Sequence, residues 1–164
     1  MYNSIAFAYK WLLFTATQID YSSVQDAGAQ ERSMPVVVAA NTKGGSGKST
    51  SSLILGTTLA RMGATVRILD ADPQRTLMSW ASGQSKYRQI VTTPKPGSDL
   101  SDLIDETSSQ YQFVIIDVQG SANQELAAAM SRADLVTIPM RAKTADAEVA
   151  ANAIGLLNLS LIHI

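Results

Sequence analysis

The chain of 164 residues has no cysteine and a single histidine. Without thiols there can be no disulfide framework, no thiolate nucleophile and no zinc–thiolate site. His163 stands one residue from the C-terminus, a position that argues against a catalytic or metal-ligating role. Charge is scarce too: charged residues make up 16% of the chain and the formal net charge is −1. That excludes a protein basic throughout, of the kind that coats nucleic acid, while leaving room for a local basic face. Long apolar runs are missing as well. The stretch Ser4 to Ala16 is interrupted by Lys10 and falls short of the roughly 20 residues a bilayer requires. No positive charge precedes it within 1–8, so it does not read as a signal peptide. Its one lysine is too little for a membrane-contacting amphipathic segment.

What is present is enough for one ordinary domain. Apolar residues make up 46% of the chain, too many for disorder and sufficient for a core. Thr17 to Ser33 is polar and small with no sustained period, and reads as a linker. We therefore expect 1–33 to lie outside the fold, with Met34 as its start. The domain is expected to span 34–157, and 158–164 lacks any cap or closing strand.

From Pro35 onward strand and helix patterns alternate. Pro35 to Ala40 carries the β-branched run Val36-Val37-Val38, and Ser49 to Met62 places Leu53, Gly56, Leu59 and Ala60 on one helical face, with Gly63 as the stop. Thr65 to Leu69 reads as a strand, Pro73 to Ala81 as a helix, Tyr87 to Thr92 as a short strand and Pro94 to Gly97 as a turn. Asp99 to Glu106 is helical by its spacing of Leu100, Leu103 and Ile104. Phe113 to Ile116 is an unbroken apolar strand of the kind buried on both faces of a parallel sheet. Ala122 to Ala133 then reads as a helix, Leu135 to Ile138 as a strand and Ala145 to Leu157 as a further helix. This rhythm predicts an α/β domain of three layers with a mostly parallel sheet.

Ligands of such folds bind beyond the carboxyl ends of the strands. After the first strand comes Lys43-Gly44-Gly45-Ser46-Gly47-Lys48-Ser49-Thr50, after the second come Asp70 and Asp72, and after the Phe113 strand come Asp117 and Gly120. The glycines let backbone N–H groups converge on an anion, at the positive end of the helix that begins near Lys48. Lys48 would reach the terminal phosphates and the Ser49 hydroxyl would ligate Mg²⁺. The general pattern G-x-x-x-x-G-K-[ST] is missed at Thr42, whereas K-G-G-x-G-K-[ST] is matched throughout, with its second lysine at Lys43. A chance Gly/Ser linker would not sit between a buried-type strand and an amphipathic helix. Asp117 is placed to hold Mg²⁺ through water. For Asp70 and Asp72 two compatible readings stand: one of them caps the helix beginning at Pro73, or Asp72 orients the attacking water while Asp70 supports the metal shell.

Together, the loop Lys43 to Thr50, the segment Asp70-Ala71-Asp72-Pro73-Gln74 and the strand end Ile115-Ile116-Asp117 resemble the ParA/MinD family of deviant Walker-A P-loop ATPases. Pro73-Gln74 looks more like the ParA partition branch. The resemblance runs from about Met34 to Leu157. It implies ATP and Mg²⁺ as ligands and an ATP-dependent homodimer in which Lys43 contacts the nucleotide of the partner subunit. It further implies slow hydrolysis, nonspecific DNA binding by the dimer, a centromere-binding ParB-type partner and a cytoplasmic, nucleoid-associated protein. The ATP assignment rests on this resemblance, supported by the lack of an Asn-Lys-x-Asp segment for guanine.

Two departures stand out. Many relatives read Asp-Thr-Pro after the strand that ends here in Asp117-Val118-Gln119-Gly120-Ser121, and family members continue well beyond this length, with further C-terminal strands. Two other functions use a loop of the same kind. A MinD-like positioning ATPase needs a C-terminal amphipathic helix, and Leu156 to Ile164 has no lysine or arginine. A small-molecule kinase or ligase resembling dethiobiotin synthetase is separated by DNA-stimulated ATPase activity. A nitrogenase-type reductase would need cluster-binding cysteines, which are absent.

Overall fold

A computed structural model describes residues 35–41, 43–120 and 124–140, all within the unit Ser33–Ile164. Five strands, β1 (Val36–Ala39), β2 (Val66–Asp70), β3 (Val91–Thr92), β4 (Phe113–Asp117) and β5 (Leu135–Thr137), alternate with four helices. The helices are α1 (Lys48–Arg61), α2 (Thr76–Ala81), α3 (Leu100–Ser108) and α4 (Gln124–Ser131). The sheet order is β3-β2-β4-β1-β5 and every pairing is parallel. The chain therefore leaves β1 toward one edge and later returns past it to β5, which opens a crevice at the carboxyl ends of β1 and β4.

Successive residues of a strand point to opposite faces, and here both faces are covered. Val36, Val38, Ala40, Leu69, Val114, Ile116 and Val118 pack with Leu100, Ile104, Leu126 and Met130 of α3 and α4. Val37, Val66, Ile68 and Ile115 pack on the other side with Leu77 of α2 and with Leu53 and Leu59 of α1. This two-sided burial is why the strands read as unbroken apolar runs. The three layers expected from the sequence are present.

Three departures from the expected boundaries have an evident local cause, the others being shifts of one or two residues. Helix α2 begins at Thr76 rather than Pro73, because Asp72 to Arg75 closes a turn first. The Gln74 N–H donates to Asp72 Oδ1 at 2.8 Å, the Arg75 N–H donates to the Asp72 carbonyl at 2.9 Å, and Arg75 takes a φ of 53°. The strand expected over Tyr87 to Thr92 shrinks to Val91–Thr92, since Arg88–Ile90 forms a 3-10 turn and only Val91 and Thr92 reach Ile68 and Leu69 of β2. Asp99 is the cap of α3 rather than its first residue, its Oδ1 accepting from the Ser101 N–H at 2.7 Å. The expected helix Ala145 to Leu157 and both terminal segments lie outside the described residues.

Helix α1 carries the glycine loop, so its approach to the sheet sets the loop's position. Gly56 makes that approach possible: a Cβ there would stand 2.6 Å from Ile68 Cδ1 and 3.2 Å from Ile115 Cδ1. Both isoleucines are buried in the sheet and cannot yield freely. Gly56→Val is expected to lower stability by about 1–3 kcal/mol through overpacking, measured by urea unfolding. An unchanged midpoint would show that the helix–sheet spacing is not fixed at this residue.

Candidate functional site

The glycine loop runs from the end of β1 to the first turn of α1. Gly45 and Gly47 have φ of 68° and 100°, values that residues with a Cβ rarely adopt. Space above Gly44 and Gly47 is open, with nothing within 4 Å of where a Cβ would stand. The first turn of α1 holds no acidic residue and its N-cap, Gly47, has no side chain to cap it, which suits its positive end to an external anion. Lys48 and Ser46 are buried, Ser49 is half-buried, and Thr50 is exposed.

Asp70 and Asp117 are register partners on the adjacent strands β2 and β4, so both carboxyl groups face the α1 side of the sheet. Both residues are 0% exposed. Neither oxygen of Asp117 has a hydrogen-bond partner. Burial pushes its carboxyl up to about 6. The Ser49 hydroxyl, close by but outside hydrogen-bonding geometry, and the Lys48 ammonium pull it down, while the charges of Asp70 and Asp72 push it further up. Asp70 is also raised, chiefly by burial, against the N–H groups of Met78, Asp72 and Leu77. Its Oδ2 accepts from the Met78 N–H at 2.8 Å, while Oδ1 is unpartnered. Asp70 therefore caps α2 from the end of β2, with one oxygen left that could support a metal shell.

Asp72 is half-buried in the turn that leads into α2. It borders an open cavity of about 560 Å³ lined by Asp70, Arg75, Lys95, Asp99 and Glu125 among others, and no residue of the glycine loop lines it. The Pro94 to Gly97 turn thus forms a wall of a cavity next to Asp72. Gly120 lies three residues past β4 and is half-buried; the segment 121–123 is outside the described residues.

The structure brings Lys48, Ser49, Asp70 and Asp72 within electrostatic reach of Asp117. Lys43, at the start of the loop, is half-buried. Sequence reading missed Asn41. It is 1% exposed, its Nδ2 donates to the Pro139 carbonyl at 2.7 Å and its Oδ1 accepts from the Lys43 N–H at 2.8 Å. Asn two residues before a loop residue is an Asx-turn signal, whereas the bond to Pro139 has no local signature.

These features suit a nucleotide and Mg²⁺: an open cradle of N–H groups, a buried lysine, and a buried carboxylate with two unsatisfied oxygens. Among the described residues no three acidic or histidine side chains converge as a metal cage. Mg²⁺ at nucleotide sites is commonly held by one or two protein oxygens, phosphates and water. Fold and site together define a P-loop nucleotide-binding domain.

The chain belongs to the CobQ/CobB/MinD/ParA nucleotide binding domain family, which it matches over residues 37–157. It is 41% identical over 125 residues to the Protein ParA of Rhizobium radiobacter, an alignment covering 76% of this chain and 56% of that protein. The fold is similar to the MinD cell division protein of Aquifex aeolicus, with a TM-score of 0.62, 22% identity, and coverage of 77% of this chain and 64% of that one. It is equally similar to a plasmid partition protein of Borrelia burgdorferi, with a TM-score of 0.61, 21% identity, and coverage of 77% and 74%. The chain spans little more than half the length of the curated relatives it matches. Among the described residues no helix is long and apolar enough to cross a membrane.

The raised Asp117 carboxyl has a consequence for stability. Between its ordinary 3.8 and about 6 the folded chain holds a proton that the unfolded chain has lost, so this group's contribution falls as pH rises through that window. Asp117→Asn removes the charge. In nucleotide-free protein the variant is expected to melt above the parent at pH 7.5, with the gain shrinking toward pH 4. The distance from 3.8 to about 6 bounds the gain at about 3 kcal/mol. A gain independent of pH would contradict a buried, charged Asp117.

Proposed function

We propose that the protein is a Mg²⁺-dependent ATPase of the partition type. Its ATP-bound form dimerises and binds DNA nonspecifically, and slow hydrolysis, stimulated by a centromere-binding ParB-type partner, releases both. The observation that carries the nucleotide part is the buried Asp117 carboxylate, unpartnered at both oxygens and facing the charge of Lys48. The partition part is supported by the 41% identity to the ParA of Rhizobium radiobacter and by the segment Asp70-Ala71-Asp72-Pro73-Gln74. Such a protein works on the nucleoid in the cytoplasm.

In this reading the N–H groups from Gly44 to Thr50 cradle the phosphates, and the Lys48 ammonium balances the charge of the terminal ones. Ser49 and Asp117 would hold Mg²⁺, and Asp70, with its unpartnered Oδ1, would support them. Mg²⁺, when bound, supplies the positive charge that offsets negative charge on the transferred phosphoryl group. Asp72 orients the attacking water, and the Gly120 N–H approaches the terminal phosphate. Lys43 reaches the nucleotide of a second copy.

Lys48→Ala is expected to abolish measurable ATP binding, because the loop loses the charge aimed at the phosphates. Asp72→Ala is expected to bind ATP, dimerise in sedimentation and retain DNA, while turnover falls by about 10²–10⁴-fold. Parental ATP affinity in Lys48→Ala would overturn the nucleotide reading. Parental turnover in Asp72→Ala would move the water-orienting role to Asp70 or the Gly120 segment. ATPase activity indifferent to DNA in the parent would overturn the partition reading in favour of a small-molecule kinase or ligase.

A further inference from the structure

The backbone pairing of β1 with β5 ends where the Ala40 N–H donates to the Thr137 carbonyl at 2.8 Å. One residue on, the side chain of Asn41 replaces it. The Asn41 amide adds one more link across the two strand ends, donating to the carbonyl of Pro139, 98 residues away. Its oxygen meanwhile accepts from the Lys43 N–H. An amide 1% exposed with both ends engaged has little freedom to rotate, since breaking either bond leaves a buried polar group unsatisfied. Lys43 therefore leaves the loop from a backbone held on one side by Asn41, and Asn41 is held in turn by the segment after β5.

We propose that Asn41 is a positioning residue for Lys43: it fixes the backbone from which that lysine extends and makes its reach depend on the course of the segment at Pro139. This rests on the reading that Lys43 acts on the nucleotide of a second copy. In this role no atom of Asn41 enters the reaction. Its effect passes through Lys43, so it bears on self-association and turnover and leaves binding of ATP by one copy largely untouched. The link also gives the β5 side of the sheet a mechanical route to the glycine loop. The Pro139 carbonyl is followed at once by Met140, which is 48% exposed.

The test is a double-mutant cycle between Asn41 and Lys43, read by labelled-ATP affinity, ATP-dependent sedimentation and turnover. Asn41→Ala is expected to keep ATP affinity within about threefold while association and turnover fall roughly 10- to 100-fold, the scale of a misplacement of about 1 Å. On the Lys43→Ala background the same substitution is expected to add nothing. Asn41→Ser, whose hydroxyl can accept from the Lys43 N–H in an ST turn but is too short for Pro139, is expected to recover turnover to about a third of the parent. It also serves where the alanine variant does not fold. A full Asn41→Ala loss persisting without Lys43, ATP affinity falling as far as turnover, or a folded serine variant no better than alanine would each overturn this inference alone. Parental association and turnover in Lys43→Ala would overturn the cross-dimer reading and this inference with it.

Discussion

Two carboxylates set side by side in a dry place dominate this structure. Asp70 and Asp117 end adjacent parallel strands, in register, on the same face of the sheet and with no exposed surface. A buried charge without a partner is unfavourable by several kcal/mol, and the fold answers only part of that demand. The Met78 N–H takes one oxygen of Asp70, and Lys48 lends its charge to Asp117. What is left unsatisfied is an oxygen of Asp70 and both of Asp117, directed to the rim where the glycine loop begins. Such a residue of unmet polarity is what a cation-bearing ligand relieves.

The remaining architecture follows from bringing a cation-tolerant rim and an anion-tolerant loop together. Helix α1 must lie close against β2 and β4 for Lys48 to face Asp117, and Gly56 permits that closeness. The loop must fold back on itself to expose its amides, and Gly45 and Gly47 supply the left-handed backbone this needs. The α2 cap from Asp70 ties the Asp72 turn to the end of β2, so Asp72 sits next to the buried pair rather than drifting with a surface loop. Positive loop and negative strand ends are thereby held a few residues apart in space, the arrangement a phosphate-bound metal ion bridges.

Local pattern made much of this legible in the sequence. The runs Val36-Val37-Val38 and Phe113 to Ile116 announce strands buried on both faces, and the order of glycines and lysines around Ser46 announces the cradle. Asp70 and Asp117 were recognisable because each directly follows an apolar strand. What could not be read depends on contacts between distant segments. The start of α2 at Thr76 is decided by Asp72 satisfying its own turn and by Asp70 reaching Met78. The strand expected from Tyr87 survives only where Val91 and Thr92 find β2. The Asn41 link to Pro139 joins residues 98 apart, and the cavity beside Asp72 needs two loops and helix α4 to meet. Propensity speaks for each segment alone, and these features belong to none alone.

Asp117, its carboxyl raised to about 6 in the free protein, should give up its proton when a nucleotide–Mg²⁺ complex binds beside Lys48. Titration calorimetry with preformed Mg·ATP, run at pH 6 in two buffers of different ionisation enthalpy, measures this directly. With the carboxyl at about 6, roughly half a proton should be released per site, and Asp117→Asn should release none through this group. Buffer-independent heats in the parent, or equal proton release in the variant, would contradict the account.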